Sequence, residues 1–473
     1  MAEAEALQDG CCARDAHPAK ETDPLGGERE AAMSEPRPGF EDGRYRVSPH
    51  NFDPTVQQQH EFPQPLTIFD STIRKILLTS GLRPSVDDML RVAEGLAEAG
   101  VRDVFLNVSW WGDRTPCQLE YEVCRAILTR NLGFRVSVFA DGVAPLQLRA
   151  PGAERMAGEM MREAVETLAK AGVKAVTVPV SDPGDDAARV KQLDGLAETF
   201  AVAKQTGLAA MASILDCGRM DFDYLVRIAN ATLRMGAERV DLLDSFSSLC
   251  PEGLKFFMRR LRARLEKRVQ TTMHIHNDFG LGAAGAIAAA AAGAHPDVAV
   301  NGLSYRSGFA ALEEVVLSLE TLYGVRTGIK VGKLQALSEL VERYSLPNHP
   351  LKPVTGPHAF LRDLPVWMHP LIECGLDAFP PPASCVAPSL VGTRMRLVWS
   401  YRHSNFLVRA KLDRMGLDGS DHEVREIRRQ IDARLGSLKG YPIWITDEEV
   451  EGICRRVVGD STHRAGDVEQ VVD

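Results

Sequence analysis

The sequence predicts an α/β fold in which eight strand–helix units close into a ring, followed by a smaller, mostly helical region. Three observations carry this. Short β-branched runs alternate with longer stretches of helical periodicity, the runs number eight, and the alternation stops after Tyr323. The runs are Leu66–Asp70, Asp103–Val108, Arg135–Ala140, Ala175–Val180, Ala209–Ser213, Arg239–Leu243, Thr271–His276 and Val298–Leu303. Alternating units imply a parallel sheet with right-handed crossovers, and eight of them over about 250 residues match a (β/α)8 TIM barrel. A doubly wound open sheet competes, but it has fewer strands and a Gly-rich first turn. The first turn here, Asp70-Ser71-Thr72-Ile73-Arg74-Lys75, holds no Gly.

The stretches between runs read as helices. Val86–Ala99 places Met89, Leu90, Val92, Ala93 and Leu96 at helical spacing. Three helices end in Ala99-Gly100, Ala171-Gly172 and Met235-Gly236, where Gly suits the left-handed position after a helix. Beyond Tyr323, Gly332–Tyr344 reads as a helix, Asn348–Pro388 as irregular and Pro-rich, and Asn405–Arg434 as helical. Thr446-Asp447-Glu448-Glu449 looks like a helix start with early acids. The expected organisation is a disordered acidic tail (1–47), the barrel (48–330), a mostly helical extension (331–458) and a flexible tail (459–473).

Composition narrows the function classes. The chain has 473 residues, with 55 Lys and Arg against 64 Asp and Glu, a formal charge of −9. Most of that charge lies in Met1–Tyr45, which holds eleven acids and five bases and is poor in large apolar residues. Met33 stands within this stretch as a second candidate start. The balance argues against nucleic acid as the partner. The basic run Arg259–Arg268 is interleaved with Leu and Ala and reads as a solvated face of an outer helix. No apolar run approaches the ~20 residues of a membrane helix, and the acidic N-terminus lacks an apolar signal core. Nine Cys without CxxC pairs read as reduced thiols, so the expected location is cytoplasmic.

In such a barrel the active site lies at the C-terminal strand ends. Those ends collect Arg74 and Lys75; Asn107, Ser109, Trp110 and Trp111; Asp141; Ser181 and Asp182; Asp216 and Arg219; Asp244 and Ser245; His274, His276 and Asp278; and Asn301, Ser304, Tyr305 and Arg306. The sharpest feature is His274-Ile275-His276-Asn277-Asp278. Residues i and i+2 of a strand share a face, so both imidazoles project together, as two ligands of one divalent cation should. The alternative is a pair of barrel histidines bonded to neighbouring carboxylates. Trp110-Trp111 reads equally as the wall of an acyl pocket or as cover for the rim, and Cys217 as a buried inert thiol.

The chain resembles the DRE-TIM superfamily of isopropylmalate synthase, homocitrate synthase, Re-type citrate synthase and HMG-CoA lyase. Phe69–Gly81 is similar to the motif DTTLRDGEQxxG, His274–Leu281 to HxHNDxGLA, and Asn301–Val316 to NGxGERAGNAxLEEVV. Leu390-Val391-Gly392, Arg396 and His403-Ser404 resemble the accessory region of the condensing enzymes. The resemblance spans residues 48–458 and implies condensation of an acyl-CoA with a 2-oxo acid by a homodimer. It implies one divalent metal held by an Asp of the first motif, the two His of HxH and an Asn of the GN pair. Here His274 and His276 remain as the candidate ligands, while the Asp position is Lys75 and the Asn position is Phe309. Family acids also give way to Leu77, Phe105, Leu215 and Tyr305.

These departures share one electrostatic direction: acids are lost and a cation is gained. The expectation is that Lys75 beside Arg74 stands in for the metal's charge. A sharper variant makes Lys75 a Schiff-base nucleophile. The roles implied are Arg74, Lys75, His274 and His276 as catalytic groups, with Arg74, Asp244, Ser245, Tyr305 and Arg306 binding substrate. A metal-independent lyase or aldolase and a non-catalytic binding relative stand beside the condensing enzyme as alternatives.

Overall fold

A computed structural model describes residues 38–110, 115–141 and 153–465, with the side chains of 153–159 and 460–465 excepted. The chain divides into two compact units: residues 50–348 with 353–355, and the described parts of 1–49, 349–352 and 356–473.

The first unit is a closed barrel. Its strands are β1 (Phe69–Asp70), β2 (Asp103–Ser109), β3 (Arg135–Asp141), β4 (Ala175–Val180), β5 (Ala209–Leu215), β6 (Arg239–Asp244), β7 (Gln270–Ile275) and β8 (His295–Val298), and β8 pairs with β1 to complete the ring. Every pairing is parallel. Two helices follow β1: α1 (Thr72–Leu78) and α2 (Val86–Ala99). The remaining crossovers are α3 (Gln118–Arg130), α4 (Ala153–Lys170), α5 (Asp186–Gln205), α6 (Phe222–Met235), α7 (Pro251–Arg262) and α8 (Gly282–Ala290), with α9 (Leu312–Leu322) after β8. Helix α2 has the expected bounds, with a reciprocal Ser85–Asp88 capping box at its start. Gly100, Gly172 and Gly236 all take positive φ, as their positions after helices require.

The eighth strand is displaced from the expected Val298–Leu303 to His295–Val298. Pro296 made the true strand look broken, and the apolar run after it turns instead. Val300–Gly302 is a 3-10 turn with Asn301 at φ 62, held where Thr72 Oγ1 accepts the Val300 N–H and Glu313 accepts the Asn301 N–H. The shift puts Asp297 inside the barrel, opposite His274 in the β8–β7 register.

The barrel core is aromatic. Phe69, Phe105, Phe139 and Leu243 form one buried cluster with Leu215 against it. Phe69 stacks on Phe105 at 5.3 Å, and Phe105 meets Phe139 edge-on at 5.3 Å. Two positions where the family resemblance implies acids, Phe105 and Leu215, are therefore part of an apolar plug. Below it, Arg239 is paired with Asp241 at 2.5 Å, and Thr177 and Thr272 donate to the same carboxylate. The basic run is split: α7 ends at Arg262 and buries Leu254, Phe257, Met258 and Leu261, while Arg259 and Arg262 both meet Glu61.

Three expectations about the ends of the barrel need correction. The helical extension was expected from residue 331, but α10 (Leu334–Arg343) belongs to the barrel unit. Its Leu337 and Leu340 fill the space over Gly95 of α2. Residues 38–47 of the leading tail are structured: Phe40–Glu41 pairs with Tyr45–Arg46 and Arg46 N donates to the Cys385 carbonyl. Residues 1–37 lie outside the described residues. The helix beginning at Asp447 runs past Gly459 to Ala465.

The second unit holds β9 (Leu361–Arg362), β10 (Arg396–Trp399) and β11 (Ile445–Thr446) in one sheet, with β10 central. Its helices are α11 (Pro365–Cys374), α12 (Asn405–Met415), α13 (Asp421–Ser437) and α14 (Asp447–Ala465). The segment read as irregular thus contains α11, which starts on Pro365 and admits Pro370. Buried Lys411 donates to Asp447 at 2.6 Å and Glu451 at 2.7 Å, and Trp399 Nε1 donates to Asp447.

Two outcomes follow from this fold. At Gly100, φ is +100° and an added Cβ would lie 2.8 Å from the Gly328 carbonyl, so Gly100→Ala costs about 1–3 kcal/mol in urea denaturation. Asp70, buried at the end of β1 and accepting from Thr72 N and Oγ1, is pushed up to about 7, chiefly by burial, with Glu313 adding to the rise. The unfolded chain gives up this proton near pH 4 and the folded chain near pH 7. Stability therefore falls as pH rises across that window. Asp297, also raised to about 7, adds a slope of the same sign, so Asp70→Asn flattens the pH dependence of the urea midpoint without abolishing it.

Candidate active site

Successive residues of a helix diverge by about 100°. Arg74 and Lys75, adjacent on α1, accordingly serve opposite sides of the barrel mouth. Lys75 is fully buried and turns to β7, where its Nζ lies 3.0 Å from His274 Nε2 and 3.4 Å from His276 Nε2. The two imidazoles do project together, with ring centroids 5.3 Å apart. The Phe309 ring lies 4.3 Å from Nζ and the Tyr305 ring 5.0 Å.

The histidines are held by their other nitrogens. His274 Nδ1 meets Asp297 Oδ2 at 2.5 Å, and Asp297 also accepts from Ser71 Oγ. His276 Nδ1 meets the Gly308 carbonyl at 3.1 Å. A carbonyl only accepts, so His276 carries its proton on Nδ1. The segment bearing Gly308 and Phe309 is strapped to β7, because Ala310 N donates to the Ile275 carbonyl and Asn277 N to that of Gly308. Gly308 has φ +94, and an added Cβ would lie 2.7 Å from the Gly302 carbonyl. A side chain there would displace the strap.

Burial sets the charge states. It pushes His274 well below its usual value and His276 to about 2, with Lys75 the next cause for both. Both rings are neutral; His276, with its proton on Nδ1, turns its Nε2 lone pair to Lys75, and His274 does the same when Nδ1 donates to the ionised Asp297 carboxylate. Burial and the neighbouring Arg74 likewise hold the Lys75 amine well below its ordinary value.

Arg74 turns the other way, towards β2 and β3. Its guanidinium lies 3.8 Å over the Phe139 ring. Nε reaches Asn107 Oδ1 at 3.4 Å and one terminal nitrogen reaches Asp141 at 3.5 Å, both long contacts. The other terminal nitrogen, Nη1, is buried without a partner among the described residues. Behind Arg74, buried Glu120 accepts from Ser109 N, Ser109 Oγ and Asn107 Nδ2, which fixes the Asn107 amide.

The other rim candidates are largely spent. Both oxygens of Asp244 accept from the Ser248–Leu249 turn, so it caps that loop. Arg306 is paired with Asp278 through two nitrogens and donates to the Ser245 carbonyl. Ser245 Oγ accepts the Asp216 N–H and keeps its own proton to give. Arg219 is paired with Asp216, and Arg189 with Asp182. Trp110 is buried, Trp111 lies outside the described residues, and Cys217 is a buried thiol raised by its burial. In the second unit His403 Nδ1 lies 2.7 Å from the Ser400 carbonyl, and Ser404 caps α12.

Two site residues escaped the sequence reading. Asp297 was hidden by the misplaced eighth strand. Glu120 lies on a helix and not at a strand end, and only its burial reveals it.

The divalent metal implied by the resemblance does not fit this donor set. An ammonium or amine sits where the two Nε2 lone pairs converge, and a phenyl ring stands beside it. Among the described residues no group of three His, Cys, Asp or Glu side chains is arranged to hold an ion.

Comparison with known proteins places the chain. Residues 66–341 match the HMGL-like family model. A Methanopyrus kandleri protein carrying the provisional name (R)-citramalate synthase is 32% identical over 413 residues, covering 86% of this chain and 75% of that one. The 2-isopropylmalate synthase of Methanocaldococcus jannaschii is 26% identical over 419 residues, covering 86% and 75%. Among solved structures, the hydroxymethylglutaryl-CoA lyase of Pseudomonas aeruginosa superposes with a TM-score of 0.47 at 18% identity, over 60% of this chain and 93% of that one. The protein with the plugged histidine pair belongs to the HMGL-like family.

Proposed function

We propose that the protein condenses an acyl-CoA with a 2-oxo acid, the reaction type named for its relatives. The observation that carries this for the site is Arg74: a buried guanidinium whose Nη1 has no partner among the described residues, stacked on Phe139 beside the buried amine of Lys75. A carboxylate with an adjacent carbonyl fits that pair. Arg74 takes the carboxylate through charge-assisted hydrogen bonds, and Ser245 offers a hydroxyl proton to the same end. Lys75 meets the oxo oxygen, where charge develops.

Proton transfer closes on Lys75 alone. As an amine, Nζ gives its two hydrogens to the two imidazoles and keeps a lone pair at the remaining tetrahedral position. That lone pair removes the α-proton of the acyl thioester. The enolate attacks the oxo carbon, forming a C–C bond and an alkoxide. The Lys75 ammonium returns the proton to the alkoxide, and water then cleaves the thioester to release CoA. The two hydrogen bonds to His274 and His276 persist throughout. Neither histidine acts as the base itself, since both Nε2 lone pairs are occupied.

A Schiff base at Lys75 does not serve this reaction. Addition of an enolate to an imine would leave a saturated C–N bond that water does not cleave. Cytoplasmic location, from the unpaired cysteines and the lack of an apolar signal core, and a homodimer, from resemblance to the condensing enzymes, complete the reading.

A thiol-release screen of acetyl-CoA and other thioesters against a panel of 2-oxo acids tests it. CoA release is expected only when both substrates are present. Release without an oxo acid, or none from any pair, overturns the reading. Arg74→Met raises the KM for the oxo acid about 10–100-fold while the KM for the thioester holds, and Arg74→Lys does not restore it, because the planar fork is lost. Lys75→Met lowers kcat about 100–1,000-fold with both KM values near those of the native chain.

A further inference from the structure

The histidine pair is arranged as metal-ligating imidazoles are, with a lysine nitrogen at its focus. Two side chains two residues apart, His274 on β7 and His276 just past its end, are each committed through Nδ1, His274 to Asp297 and His276 to the Gly308 carbonyl. Both Nε2 lone pairs therefore converge on one point. A carboxylate behind one ligand histidine and a carbonyl behind the other is the second shell that metal-binding imidazoles use to fix tautomer and orientation. Here the point of convergence is filled by Lys75 Nζ, 3.0 and 3.4 Å from the two nitrogens. Zinc or cobalt would sit about 2.0–2.1 Å from each of them, so ion and Nζ exclude one another. The walls suit a tethered lysine nitrogen better than a coordinated ion. Phe309, at 4.3 Å from Nζ, and Tyr305, at 5.0 Å, offer ring faces in place of oxygen donors.

We propose that Lys75 is a covalently tethered plug in a latent metal cradle. The native chain excludes divalent ions from the His274–His276 pair, and replacing the lysine by a carboxylate opens a 2-His-1-carboxylate site for a transition-metal ion. Asp297 is a positioning residue of that cradle, acting through His274. The inference is independent of the reaction proposed above, since it is read from bound metal and not from CoA release.

The test is metal content by mass spectrometry together with Co²⁺ titration followed by its visible absorption. The proteins are the native full chain, Lys75→Asp and Lys75→Glu, with Lys75→Met as the control that removes the amine without adding a ligand. The native chain is expected to carry no stoichiometric ion and to show no cobalt–imidazole absorption. At least one carboxylate variant is expected to bind about one Co²⁺ per chain, and adding Asp297→Ala to it weakens binding about 10–100-fold. One ion per native chain, or cobalt absorption from the native chain that His274→Ala abolishes, overturns the proposal. So does a carboxylate variant that keeps the native circular dichroism and binds cobalt no better than Lys75→Met. If both carboxylate variants unfold, the native chain decides alone: an empty cradle under excess Co²⁺ upholds exclusion, and a filled one ends it.

Discussion

The buried chain of hydrogen bonds from Asp297 through His274 to Lys75 is the constraint on which the site depends. It joins β8, β7 and the first turn of α1, three elements that meet only when the barrel closes. A lysine with no solvent exposure is costly unless its hydrogens are taken up. Here two imidazoles take them, and each imidazole is in turn satisfied by an acceptor behind it. Loss of any member leaves a buried polar atom without its partner. The cluster is thus coherent as a unit, unlike a site losing ligands one at a time.

Three other rim arginines among the described residues are paired. Arg306, Arg219 and Arg189 face Asp278, Asp216 and Asp182 across bonds of 2.9, 2.6 and 2.8 Å. Arg74 differs because its contact with Asp141 is long and Nη1 is unpartnered among the described residues. Of these cations it is the one with unspent capacity for an anion. The aromatic plug explains how the family acids could be dispensed with. Phe105 and Leu215 pack with Phe69, Phe139 and Leu243, and the Phe139 ring at the end of that stack becomes the platform for Arg74.

Much of this was legible in the sequence. Five of the eight strands begin at the expected residue, because an interior parallel strand is a short apolar run between amphipathic helices and that pattern is local. The shared orientation of His274 and His276 followed from the two-residue period of a strand. The misses have local causes too. Pro296 disguised β8, and the apolar Val298–Leu303 run contains an Asn at φ 62 that only the turn reveals. Glu120 was invisible because a glutamate on an amphipathic helix normally faces water, and here it is buried against Ser109 and Asn107.

The sequence by itself determined the ring of eight units, the end of the barrel at which chemistry collects, and the presence there of Arg74, Lys75 and the histidine pair. Only the tertiary structure decided what those groups do to one another. Lys75 and His274 lie 199 residues apart, and no periodicity relates them. Local pattern fixes which face of an element is buried, but the partner met on that face is set by closure of the sheet. That closure brought an amine to two lone pairs, neutralised three rim arginines, and left Arg74 with an unspent donor.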